Sequence, residues 1–187
     1  INAVGTGDGN GVAWGEQSTA TGAGAVALGK TATASASGAV ALGQETKAEK
    51  NNGVAIGKGA QSTEDSAIAL GFQSKSAGNW SVAIGLQTKA TNKQAVAVGS
   101  KSEATGENSI AIGNAANASK ESSVALGSSA ESTNKFTTAV GGKAFATQEG
   151  ATALGYEAKA TAINTIAIGK LAKAEKVGVI ALGSTAA

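Results

Sequence analysis

The sequence predicts an all-β chain wound as a parallel β-solenoid of short coils, on three observations. A four-residue signature, an apolar residue or Thr, then Ala, an apolar residue and Gly, recurs thirteen times. Its glycines fall every 14 residues from Gly15 to Gly183 without an insertion (183 − 15 = 168 = 12 × 14). The residues between them alternate with period two, the mark of strands.

The first strand of each unit is the signature itself, from Val12-Ala13-Trp14-Gly15 and Val26-Ala27-Leu28-Gly29 through to Ile180-Ala181-Leu182-Gly183. Its β-branched residues favour extended backbone, and the Gly marks a turn. The second strand follows. Small residues stand three after the Gly (Ser18, Ala32, Thr46) and five after it (Ala20, Ala34, Ala48), with long polar residues between them at Lys47, Lys75, Lys89, Glu103, Glu131, Lys159 and Lys173. Fourteen residues therefore divide into two strands of about five and two turns of about two, too short for a helical crossover. A register that never slips lets each coil stack on the last, like on like. At roughly 4.8 Å per strand, twelve intervals make a rod on the order of 58 Å long. These patterns leave the hand of the roll open.

Both faces of the first strand are apolar: Val/Ile and Leu/Ile point one way and Ala the other. One set must face the second strand and the other must face out, and the pattern alone does not say which. Either way an apolar stripe runs along the coils, and exposed apolar surface of that extent calls for a partner. The expectation is a homo-oligomer with the Val-Ala-Ile strand as its inner wall.

Composition narrows the chemistry. Of 187 residues, 42 are Ala and 27 are Gly, and aromatics make up 3%, so a thick globular core is not available. Cys, His, Met, Pro and Arg are absent. That removes Cys or His metal clusters, thiol nucleophiles, His acid/base catalysis and disulfides. No enzyme, metal or cofactor is expected: no Ser-His-Asp set can be built, the Gly-rich turns lack a phosphate cradle, and the acids Glu64-Asp65 sit in a turn with no sign of a cleft. Calcium-binding rolls need Asp arrays, and the chain holds only Asp8 and Asp65. A net charge of +2 carried by Lys alone disfavours nucleic acid. No run is apolar and long enough to span a membrane, and residues 1–5 do not open a signal peptide.

The units resemble the YadA-like head repeat of trimeric autotransporter adhesins, whose pattern is close to Asn-Ser-Val-Ala-Ile-Gly-x-x-Ser. The resemblance is carried by Asn108-Ser109-Ile110-Ala111-Ile112-Gly113, by Ser81-Val82-Ala83-Ile84-Gly85 with Thr88, and by Ser122-Ser123-Val124-Ala125-Leu126-Gly127, within a match from about residue 9 to the end. It implies a left-handed parallel β-roll, a homotrimer, and display at the Gram-negative cell surface. Such heads bind extracellular-matrix proteins (collagen, fibronectin or laminin) or host-cell receptors. On this expectation residues 1–187 form one head roll with a degenerate first coil over 1–10. The neck, stalk and C-terminal outer-membrane anchor lie outside the chain, and the fragment itself makes no membrane contact.

The signature residues have a full structural explanation as repeat and trimer wall. Ligand candidates are the breaks in the polar columns. Phe72 and Leu86 follow the Gly in successive coils where Glu16, Lys30, Lys58 and Lys170 stand elsewhere, and Tyr156 takes that position further along. Trp80 and Phe136 replace Asn, Ser or Gly at the opposite turn, and Phe145 interrupts the Lys/Glu column. Aromatics of this kind are interface anchors, or covers for grooves between subunits. Trp14, in an apolar column, reads as core packing near the end of the rod. Two other readings stay open: a fibre or spacer segment without a receptor site, and an ice-binding solenoid using the partial hydroxyl column six after each Gly (Thr21, Ser35, Thr63, Thr105). Hexapeptide-repeat acyltransferases fit poorly, since as a family they use an 18-residue coil and a His base.

Overall fold

The computed structural model describes the backbone of residues 4–5 and residues 10–186. Each coil holds two four-residue turns, and these set where strands can form. One begins at the signature Gly and closes with Ser18 N–H donating to Gly15 O at 3.3 Å; the other closes with Ala25 N–H donating to Gly22 O at 3.1 Å. The third residue of each turn is left-handed, as at Gln17 (φ 57°) and Asn52 (φ 55°). Between the turns lie a three-residue strand such as Val26–Leu28 and a two-residue strand such as Thr33–Ala34. Both are shorter than the five residues expected. The reason is that the N–H just ahead of each strand closes a turn in its own coil, and the chain bends again within two or three residues.

The chain divides into two units, Ile1–Gln94 and Ala95–Ala187, and the same coil builds each. In the first, the three-residue strands run from Val12–Trp14 to Val82–Ile84 and the two-residue strands to Lys89–Ala90. Within the unit they pair in parallel with the equivalent strand of the neighbouring coil, as in Ile68↔Val82 and Lys75↔Lys89. The second unit runs from Val96–Val98 to Ile180–Leu182, with pairs such as Ile110↔Val124 and Glu131↔Phe145. No helix occurs among the described residues. The turns ladder too: Thr31 N–H donates to Glu16 O at 2.8 Å, one coil back. At the start, Val4–Gly5 pairs with Thr19–Ala20, an offset of 15 (19 − 4 = 15) against the repeat of 14. The rest of the expected degenerate first coil, residues 1–3 and 6–9, lies outside the described residues.

The interior of each coil is a layer of methyl groups. In the first unit Ala27, Ala41 and Ala55 are fully buried against Ala20, Ala32 and Ala34. In the second, Ala111 and Ala125 are fully buried, as are Ala104, Ala116 and Ala118. The Ala set therefore faces inward, and the Val, Ile and Leu set faces out. A fourth inward column, ten residues after the Gly, is missing from the sequence reading; Ala25, Ala39, Ser81, Ser109, Thr137 and Thr165 in it are all fully buried. Its polar members are satisfied inside the coil. Ser81 Oγ donates to Gly78 O at 2.6 Å and lies 2.6 Å from Ser76 Oγ, while Ser132 Oγ lies 2.7 Å from Thr137 Oγ1. Among the described residues no buried side-chain nitrogen or oxygen lacks a partner.

Candidate functional site

The outward face of the three-residue strands is an apolar wall in each unit. Val82, Ile84, Val124 and Leu126 are half-buried, while Leu70 and Ile112 are 38% and 42% exposed. Of the expected wall residues, Ala83, Ala111 and Ala125 are sealed inside the coil. Gly85, Gly113 and Gly127 open the next turn instead, so the flanking Val, Ile and Leu alone form the surface. The wall is smooth because register is kept: Ile68↔Val82 and Leu70↔Ile84 stack side chain on side chain. Trp14 corrects the expectation of core packing. It occupies the outward column beside Leu28 and is 73% exposed.

The candidate ligand residues fall on three edges. Phe72 and Leu86 follow the Gly in neighbouring coils, are 42% and 44% exposed, and are tied by Gln87 N–H donating to Phe72 O at 2.8 Å. They make one apolar spot. Tyr156 holds the same position in the second unit, its ring over Gly142. Trp80 and Phe136 sit at the opposite turn in left-handed backbone, each at φ 57°. For a bulky side chain that geometry costs about 1–2 kcal/mol, and the turn itself gives no reason for it. Both remain more than half exposed. The Lys93 ammonium lies 5.8 Å from the centre of the Trp80 ring, and Lys159 lies 5.9 Å from that of Phe145. The structure thus joins Phe72 to Leu86 and keeps Trp80 on the other edge of the same unit.

The remaining surface is polar and paired along the stack. Lys30 meets Glu16 at 2.9 Å and Lys135 meets Glu121 at 3.1 Å, each across one coil. Exposed pairs of this kind contribute about 0.2–1 kcal/mol. In the hydroxyl column, Thr21 and Thr105 donate to the carbonyls of Ser35 and Ser119. Their hydrogens are used by the protein, which weakens an ice-binding reading. Among the described residues no cluster of three Asp or Glu could hold a metal, and no helix is long and apolar enough to cross a membrane. A hollow of about 310 Å³ beside Lys173, Glu175, Lys176 and Val179 brings together no nucleophile and base.

These features define a class: parallel β-solenoid repeat proteins with a methyl-filled coil, an apolar sheet face and a polar one. The family model of the YadA head domain repeat, which spans two copies, matches residues 9–32, 20–46, 34–60, 48–74, 62–86, 77–102, 104–130, 132–158 and 160–186. The chain belongs to that family. Among solved structures it is similar to the crystal structure of the collagen-binding domain of the Yersinia adhesin YadA, with 37% identity and a TM-score of 0.54. The match covers 58% of this chain and 61% of that domain, so the chain spans less than two thirds of it. No curated protein matches.

Proposed function

We propose that the chain is the adhesive head of a bacterial surface protein. In this reading it is a left-handed roll that assembles as a homotrimer and binds extracellular-matrix proteins or host-cell receptors through repeated sites. The observation that carries the reading is the apolar wall, joined to the similarity to a collagen-binding adhesin domain. A sheet face of Val, Ile and Leu at this exposure is a surface for burial against further copies of the chain. With the wall covered, the opposite sheet and both turns stay outside. Phe72, Leu86 and Trp80 in the first unit, and Phe136, Phe145 and Tyr156 in the second, are the candidate contacts.

Three copies present every weak site three times, and avidity can raise effective affinity by about 10²–10⁴ without new contacts. Light scattering on a size-exclusion column tests the assembly. The expected mass is three times 17.9 kDa, and a protomer mass at working concentrations overturns it. Solid-phase binding to collagen, fibronectin and laminin then tests the adhesive role, with Phe72→Ser/Leu86→Ser in a still-trimeric protein expected to weaken it.

A further inference from the structure

We propose that the ligand site is composite and lies at the seam between two copies of the chain, where Trp80 of one protomer and the Phe72–Leu86 spot of the next grip one extended polypeptide. The inference rests on the reading above in taking the apolar wall as the face that copies bury against one another.

Each wall strand runs between the two turns of its coil. Val82–Ile84 leaves the turn that Ser81 N–H closes on Gly78 O, and it ends at Gly85, which opens the turn holding Leu86. In the first unit the wall is therefore bordered on one edge by Trp80 and on the other by Phe72 and Leu86, all exposed. Copies set in a ring about an axis parallel to the stack make heterologous contacts, in which one edge of a protomer meets the opposite edge of its neighbour. Rotation about that axis keeps height, so each coil meets its own equivalent. Trp80 comes eight residues after Phe72 and six before Leu86 along the winding, which puts it level with the spot those two form. Within one protomer the wall separates the two edges. Across a seam they face each other.

Two features single out this level of the first unit. Trp80 stands in left-handed backbone at φ 57°, where a bulky side chain is unfavourable. Coils with Glu16, Lys30 or Lys58 on the first edge carry Gly24, Gly38 or Ser66 at the Trp80 position instead. The second unit repeats the pairing with other residues. Phe136, also at φ 57°, stands six residues ahead of Gly142, over which the Tyr156 ring lies, and exposed Ile163 follows Tyr156 by seven on the Phe136 edge. A ligand held in such a seam meets apolar groups on both sides. An apolar side chain satisfies both, whereas a sugar ring would turn hydroxyls onto Trp80 or Leu86 without a partner. Beside Phe72 and Leu86, Gln87 Nε2 donates to Gln73 Oε1 at 3.1 Å, and the remaining amide groups of this pair suit the N–H and C=O of a peptide.

Complementation between variants of the intact chain tests the seam. Trp80→Ser and Phe72→Ser/Leu86→Ser should each bind immobilised collagen, fibronectin or laminin about tenfold or more weakly than the parent. Co-expressed, the two variants form mixed trimers in which an intact Trp80 edge meets an intact Phe72 and Leu86 edge, so binding should recover several-fold over either alone. No recovery, in mixed trimers of a parent that binds, overturns the inference. Because the chain has no Cys, co-expressed Trp80→Cys and Leu86→Cys protomers test the geometry without any ligand. A short bismaleimide should join one variant to the other in the mixture and join nothing in either variant alone. Trimers that give no such product sink the seam and leave the assembly standing, whereas a protomer mass by light scattering sinks both. Parent trimers that bind none of the three proteins overturn the adhesive reading and this site with it. Binding that survives protease treatment of the coated protein but not periodate oxidation of its sugars overturns the polypeptide assignment.

Discussion

The Gly that ends each signature is held by two constraints at once. Gly127 has φ 136°, and a Cβ there would lie 2.5 Å from Gly141 O in the next coil. Replacing it with Ala combines left-handed strain with a backbone clash and should cost about 2–3 kcal/mol or more. Gly24, at φ 65°, has nothing within 4 Å of an added Cβ, so Gly24→Ala should cost only about 1 kcal/mol. Thermal unfolding of the two variants side by side checks the difference. The buried Ser76 and Ser81 make a second, asymmetric case. Ser76→Ala leaves Ser81 bonded to Gly78 O, whereas Ser81→Ala strands the buried Ser76 hydroxyl at a cost of about 1–3 kcal/mol. The double variant should recover, because Ala34 and Ala39 already fill the equivalent places in another coil. At Trp80 the order reverses: Trp80→Asn relieves left-handed strain, so stability should rise by about 1 kcal/mol as measured by denaturant midpoint. The recurrence of Gly put each one beside the next; the structure adds how close they come, with no room for a Cβ between Gly127 and Gly141.

At the level of strands and turns, hydrogen bonding inside each coil limits every strand to two or three residues, and pairing between coils restores continuity. The columns could be read from the sequence because a 14-residue period without insertions puts Val54, Ile68 and Val82 in line whatever the detailed geometry. The column of Ala25, Ser81, Ser109 and Thr165 was not read, since it lies at the last residue of a turn, ahead of the strand, and mixes Ala with Ser and Thr. Only the turn that carries Ser81 N–H to Gly78 O at 3.1 Å brings it inside. The wall makes the sharpest prediction at this scale. Ile84→Lys/Ile112→Lys puts charge on the outward face without touching the methyl layer, so the coils should keep their β circular-dichroism spectrum while the mass by light scattering falls to the protomer. Survival of the assembly in that variant would remove the wall as the interface.

For the molecule as a whole, repetition sets both the stability of the stack and the spacing of its surface residues. Coils with a single Ala layer bury little each, on the order of 0.8 kcal/mol per methyl-sized group, so the stack is held by parallel ladders and by neighbours on both sides. The same stacking lines up surface residues at fixed intervals and turns weak contacts into repeated ones. If avidity drives adhesion, protomers separated by Ile84→Lys/Ile112→Lys should bind immobilised collagen about 10²–10⁴-fold more weakly than the assembly, and equal binding would exclude that mechanism. The family was legible from the repeat. The candidate contacts were legible only as exceptions to it, because an aromatic such as Phe145 breaks a column without showing what lies beside it.

Thirteen glycines at one spacing were enough to determine strands, turns, parallel pairing and register, since each follows from order along the chain. They could not determine which side of the Val-Ala-Ile strand turns inward, because both sides are apolar and a period of two is silent on size. The tertiary structure made that choice. The turns bring the two sheets of a coil so close that only methyls and small hydroxyls fit between them, so Ala goes in and the larger side chains go out. It also decided that Trp14 points outward, in the wall column, and that Trp80 and Phe136 sit in left-handed backbone, because both depend on how the chain bends and not on which residue comes next.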